Sequence, residues 1–321
     1  MTTLISVFTN QFFMIFLAIA SGLLIGKIKI GNFSLGVSGG IFSGIAIGYF
    51  AQAWAKGVQE GAPGYASAAS VLKTGVVSNL FFTFFLMLFL VSIGMKVGGS
   101  IGAIFKKYGV KFVVIGMMIP IISMIVSVVA YHLVLKGNPS VTEYETIGMF
   151  AGAMTSTPAY GTALDAAGSV VSGDALEAAS SAISLGYTVA FPIGVLVIVL
   201  MISLLPKLFG IDVAAEKLAY EKELSESTST EKKLKDGPLD FMVIALVAAI
   251  GILIGNIKIP LGSFGTFSLG AAGGILVSAL VFSYIGKIGP VNFRMDQKGL
   301  GILYQTGLTF FMAVVGLRYG Y

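Results

Sequence analysis

Nine long stretches of this chain carry no Asp, Glu, Lys or Arg: 1–26, 30–55, 74–95, 112–135, 146–164, 178–206, 241–257, 259–286 and 299–317. Most reach the roughly 20 residues that a helix needs to cross about 30 Å of hydrocarbon. In lipid the backbone must satisfy its own hydrogen bonds, which leaves helices or closed barrels. These runs are unbroken and do not alternate, so they read as helices. With 56% hydrophobic and only 11% charged residues, a soluble fold could not hide the apolar surface. The expected fold class is therefore an all-α polytopic membrane protein.

One run differs. Residues 146–164 are polar at their centre, with Thr155, Ser156, Thr157, Pro158 and Ala159 in succession. This predicts a broken or re-entrant segment near 146–166 rather than a plain crossing, which leaves eight crossings. Residues 207–239 mix Lys and Glu densely around a Ser/Thr tract, and read as a solvated linker without a folded domain.

Orientation follows from the cations. With the N-terminus outside, only Lys56, Lys73, Lys136, Lys258 and Arg318 fall outside, and the other 15 of the 20 Lys and Arg fall inside. The positive-inside rule favours this arrangement, with the linker cytoplasmic. The net charge of +5 is then a set of loop lysines, and no nucleic-acid partner is expected. The first 26 residues have no charge, so the basic segment of a cleavable signal peptide is missing. There is no cysteine, which excludes disulfides and thiolate chemistry.

The chain repeats itself. Gly22-Leu23-Leu24-Ile25-Gly26 followed by Phe33-Ser34-Leu35-Gly36 returns as Gly251-Ile252-Leu253-Ile254-Gly255 followed by Phe267-Ser268-Leu269-Gly270. Phe89–Gly98 returns as Phe311–Gly320. The first copy has an odd number of crossings, so the second is expected to lie inverted, as in secondary transporters. The expected domains are a first repeat at 1–206, the linker at 207–239 and a partial second repeat at 240–321. Nothing in the second copy corresponds to residues 108–206, so the chain reads as a truncated form of a longer protein.

Thr157 suits a helix N-cap and Pro158 the first helical position. A helix beginning there, after a first piece at 147–153, would point unpaired N–H groups at an anion. Thr155, Ser156, Thr157, Pro158 and Ala159 are therefore the candidate substrate-binding residues, and a carboxylate the candidate ligand. Asp165 is a possible ion or proton site, with Glu177 beyond it, since acids within membrane segments are often functional. The simpler reading places both in a wet loop. His132, the sole histidine, reads as an interfacial residue. Gly36, Gly40, Gly44 and Gly48 recur at spacing four, which predicts close helix packing. No HExxH or Gly-x-Ser-x-Gly motif and no ATP-binding loop occur, so neither an enzyme nor an ATP-driven pump is expected.

In Gly152-Ala153-Met154-Thr155-Ser156-Thr157-Pro158-Ala159, in the paired Gly-Leu-Leu-Ile-Gly and Phe-Ser-Leu-Gly segments, and in Gly94-Met95-Lys96, the chain resembles the aspartate–alanine exchanger family of bacterial transporters. The resemblance covers most of the chain. It implies two inverted five-crossing repeats, outside termini and a cytoplasmic linker in the bacterial cytoplasmic membrane. It further implies exchange or export of a small carboxylate such as aspartate, alanine or a dicarboxylate. A coupling ion and assembly as a homo-oligomer, a dimer first, are the associated expectations, with no cofactor. The family commonly carries regulatory modules in the central loop, and residues 207–239 are too short for them. The second Thr-Pro-Ala element expected late in repeat two is also absent. The runner-up reading is a sodium-coupled amino-acid symporter.

Overall fold

The computed structural model describes residues 2–30, 33–34, 36–137, 141–219, 236–260 and 266–319. Residues 220–235, about half of the linker expected at 207–239, lie outside the described residues.

The chain is helical, with three two-residue hairpins as its only sheets among the described residues. A short α1 (Thr2–Phe8) precedes α2 (Gln11–Gly26), which Asn10 caps by accepting hydrogen bonds from the Phe12 and Phe13 amides. Strands β1 (Lys29–Ile30) and β2 (Phe33–Ser34) turn the chain into α3 (Gly39–Gly57). After α4 (Tyr65–Thr74) comes α5 (Asn79–Ala130), which bends sharply at Gly109, where φ is 59°. Three helices follow: α6 (Glu143–Ala153), α7 (Thr157–Val170) and α8 (Asp174–Leu208). Past the linker, α9 (Phe241–Gly255) leads through β3 (Ile259–Pro260) and β4 (Thr266–Phe267) to α10 (Gly270–Ile285). A last hairpin, β5 (Lys287–Ile288) with β6 (Val291–Asn292), leads to α11 (Gln297–Tyr319).

Among the described residues, three segments are long and apolar enough to cross a bilayer: Asn79–Gly99, Gly109–Leu135 and Gln297–Arg318. The apolar helices Gln11–Gly26, Phe241–Gly255 and Gly270–Ile285 are shorter. The central window of Gly109–Leu135 is 0% buried within the chain. A helix that is apolar on all sides and bare of protein is stable only where lipid is the solvent.

Glycine builds the helix interfaces. Within α2 and α3, a Cβ at Gly22 would stand 2.5 Å from Gly40 Cα, and one at Gly26 would overlap the Gly36 carbonyl oxygen. The α9–α10 pair repeats this: Gly251 abuts Ile275 Cα at 2.5 Å, and Gly255 abuts the Gly270 carbonyl. Helix α3 then lies on α11, where Gly44 faces the Ala313 carbonyl and Gly316 the Ile41 carbonyl. Helix α10 lies on α5 in the same manner, with Gly94 facing the Ala279 side chain and Gly98 the Leu280 carbonyl. Such close approach gives the van der Waals contact that holds helices together in lipid.

The expected glycine ladder needs one correction. Gly40, Gly44 and Gly48 do pack α3 against α11, but Gly36 lies in the 3-10 turn before the helix, at φ 53°. Its carbonyl meets α2 instead.

The α6–α8 interface is tighter still. A Cβ at Gly148 would overlap the Ile183 carbonyl, and one at Gly186 the Glu145 carbonyl. Gly152 and Gly194 fit at 2.6 Å against the Tyr187 and Ala153 carbonyls. Contact positions rise together along both helices, so α6 and α8 run parallel.

Candidate functional site

The polar break separates two helices. Thr142 and Glu145 form a capping box that starts α6, satisfying two orphan N–H groups. Its far end closes through two hydrogen bonds, Thr155 N–H to the Gly152 carbonyl at 2.8 Å and Ser156 N–H to the Ala151 carbonyl at 3.0 Å. This is a Schellman cap, whose left-handed position glycine usually takes. Here Thr155 takes it, at φ 50°, alone among described non-glycine residues. Ser156 then turns extended, and its Oγ accepts from the Ala159 N–H at 3.3 Å.

Ser156, rather than the expected Thr157, is therefore the N-cap, and Pro158 occupies the second helical position. The shift is physically cheap, because no amide in the first turn has an intrahelical partner and proline's missing N–H costs nothing there.

A β-branched residue in the left-handed region is strained by roughly 1–2 kcal/mol, and such strain gathers at functional sites. Thr155→Gly should relieve it. Glycine's own entropic cost of about 0.5–1 kcal/mol offsets part of the gain. The expected outcome is a small rise in thermal stability, measured in detergent. A clear loss would mean that contacts of the threonine side chain hold the break.

The chain reverses at this break. Tyr160, on α7, shares a 2.6 Å hydrogen bond with Ser184 and stacks on Tyr187 at 4.3 Å. Gly168 further along lies near Leu176. Helix α7 thus runs antiparallel to α8, while α6 runs with it. Gly194 abuts the Ala153 carbonyl, so the break sits level with the middle of the 35-residue α8.

Past the break lies a cavity of about 470 Å³. Asn79 and Thr83 of α5 line it, with Asp165 of α7 and Asp174 and Glu177 of α8. Ala271 of α10 and Arg318 of α11 complete the polar end. Helices α5, α8 and α10 all begin here, so three partial positive charges converge on it. Helix α10 has no side-chain cap. Instead the Asp165 carboxylate lies against its first residue: at Gly270, where φ is 66°, a Cβ would overlap Asp165 Oδ2. Among the described residues, no three acids or histidines are grouped to hold a metal ion.

Eight residues of helix, or about 12 Å, separate Thr157 from Asp165. An aromatic floor fills that depth. Tyr160, Tyr187 and Phe311 are each 0% exposed. Phe311 lies 6.1 Å from the Tyr160 ring and 5.4 Å from Phe82, which also lines the chamber.

The structure therefore separates the expected site residues into two levels. Thr155, Ser156, Pro158 and Ala159 are half-buried at the break, while the Thr157 side chain lies outside the described residues. Asp165 and Glu177 meet in the chamber above. His132 is exposed in a π-helical turn, away from both levels. Sequence reasoning missed Arg318 and Asp174 as site residues. The available signal for Arg318 was a lone cation ending an otherwise apolar run.

A family model described as a predicted permease membrane region, that of the Asp–Al exchangers, matches residues 14–207 and 243–321. The chain belongs to the aspartate–alanine exchanger family. An uncharacterized transporter of Bacteroides fragilis (strain YCH46) is 31% identical over 208 residues, covering 65% of this chain and 32% of its own length. One from Geobacter sulfurreducens is 31% identical over 210 residues, covering 64% and 33%. A putative transport protein of Yersinia pestis (strain Pestoides F) is 26% identical over 214 residues, covering 67% and 35%. The match with this exchanger-family chain thus spans about a third of the length of these relatives. No solved structure matches it. This chain is a membrane protein of a transporter family.

Proposed function

We propose that this chain is a secondary transporter that exchanges or exports a small carboxylate metabolite by alternating access. The substrate would be an aspartate- or alanine-like amino acid or a dicarboxylate. The observation that carries the reading is the α6–α7 hairpin, a helix pair broken level with the middle of α8, with the N-terminus of α7 opening at Ser156. Transporters of anionic solutes use half-helix N-termini at mid-membrane in this way.

The chamber then serves as the access path on one side, and the floor of Tyr160, Tyr187 and Phe311 as the closed barrier. Thr155, Ser156, Thr157, Pro158 and Ala159 form the central site below the floor, and Asp165 is the ion-responsive group above it. The matching glycine contacts of α3 on α11 and of α10 on α5 support two inverted repeats, whose relative rocking would switch access. The cation count supports an outside N-terminus, a cytoplasmic linker at 207–239 and a chamber open to the outside. Assembly as a dimer in the bacterial cytoplasmic membrane completes the reading.

The test is counterflow in proteoliposomes. Vesicles loaded with an excess of unlabelled aspartate, alanine or succinate should accumulate the labelled solute above its outside concentration. Failure with every member of a panel of amino acids and dicarboxylates would end the proposal.

A further inference from the structure

The chamber shares part of its wall with a second cavity. That cavity holds about 100 Å³ and is lined by Gln52, Lys73, Thr74, Ser181, Glu177 and Arg318. Among the described residues, Glu177 and Arg318 alone line both spaces. They come from α8 and α11, at the end of the bundle where α5, α8 and α10 begin.

The backbone holds the Arg318 head group at this partition. Its Nη1 donates to the Val77 carbonyl at 2.8 Å and, more weakly, to the Thr74 carbonyl at 3.4 Å. The guanidinium is thus tied to the turn between α4 and α5. A guanidinium keeps its charge at any physiological pH.

The charges of the chamber make this position decisive. An anion that enters meets the carboxylates of Asp165, Asp174 and Glu177 and one guanidinium, that of Arg318. The lining is acidic on balance, and without Arg318 it would be acidic throughout and would concentrate cations more strongly. Charged walls of a cleft raise the local concentration of ions of the opposite sign.

We propose that Arg318 and Glu177 form a charge gate at the chamber, in which Arg318 admits anionic solutes and Glu177 competes with them for the guanidinium. The proposal rests on the transport reading for its physiological role, but not for its test. A gate of this kind sorts small ions by sign whether or not the chain completes a transport cycle.

The experiment uses the absence of cysteine. Thr83, half-buried on the chamber wall, is replaced in Thr83→Cys. The purified protein is then reacted with two methanethiosulfonates of similar size, the anionic ethylsulfonate and the cationic ethyltrimethylammonium reagent. In Arg318→Gln the ratio of anionic to cationic rates should fall about tenfold or more, the scale on which lining charge alters local ion concentration. In Arg318→Lys, which keeps the charge, it should stay within a few-fold. In Glu177→Gln it should rise.

A purely structural role would change both rates in parallel and leave the ratio fixed, which would overturn the gate. Should Arg318→Gln fail to fold, Glu177→Gln decides alone, and an unchanged ratio there is equally fatal. Counterflow of labelled succinate and aspartate in parallel keeps the two readings apart. A shifted ratio with no uptake by the unmutated chain would sink transport and leave the gate standing. Uptake with a fixed ratio would do the reverse.

Discussion

Phe311→Ala is expected to destabilise the protein by about 3–5 kcal/mol, the range for removing a buried aromatic ring. Phe311 is 0% exposed. Its ring meets Phe82 at 5.4 Å, Tyr160 at 6.1 Å and, stacked at 10°, Phe89 at 6.3 Å. Those rings come from α5 and α7, so one truncation opens a hole where three helices meet. The ring neighbours are apolar or already hydrogen-bonded, so they can relax only by moving helices. Thermal unfolding in detergent measures the loss. A cost below about 1 kcal/mol would mean that the floor is loosely packed and a poor barrier.

The second large effect belongs to the α6–α8 interface. Gly148→Leu places its Cβ on the Ile183 carbonyl oxygen, and Gly186→Leu places its own on the Glu145 carbonyl. Overpacking usually costs about 1–3 kcal/mol, and more where the obstacle cannot yield. Here the obstacle is backbone on a parallel partner helix, so a cost at or above the top of that range is expected. The control is Gly116→Leu in the second half of α5, where nothing lies within 4 Å of an added Cβ. It should cause no loss of stability, and can gain up to the roughly 0.5–1 kcal/mol that glycine costs a helix interior. Equal losses at positions 148 and 116 would contradict the glycine account of this interface.

Much of this architecture is legible in the residues, and the reasons are local. The charge-free runs exist because lipid tolerates little else, and the described helices fall within or across them. The break at 154–156 announces itself because Thr, Ser, Thr and Pro are poor companions in a helix interior. Its cap was expected one residue late, since Ser156 and Thr157 are both good caps and only the backbone at Thr155 chooses between them. Gly40, Gly44 and Gly48 were visible by their spacing. Gly148, Gly152, Gly186 and Gly194 carried the same signal, but their meaning depends on a partner helix some 40 residues away in sequence.

The chamber was the least legible part. Asp165, Glu177 and Arg318 sit on three helices, and Arg318 is separated from Val77 by 241 positions. No periodicity reports such a meeting. The seating of Asp165 against Gly270 likewise needs a turn at positive φ in one element and a carboxylate in another.

The central claim is that the N-terminus of α7 binds the carboxylate of a transported solute. Substrate affinity of folded, purified Thr155→Ala, Ser156→Ala and Thr157→Ala tests it most directly, measured by counterflow with the labelled solute that the unmutated chain carries. A charge-assisted hydroxyl-to-carboxylate bond is worth roughly 1.5–3 kcal/mol, so losing one should weaken affinity about 10- to 150-fold, since 1.4 kcal/mol is a factor of ten. Ser156→Ala should also lose the cap on α7, about 1 kcal/mol of stability, while Thr157→Ser should keep most activity. Unchanged affinity in all three alanine variants, with only protein yield reduced, would contradict the account.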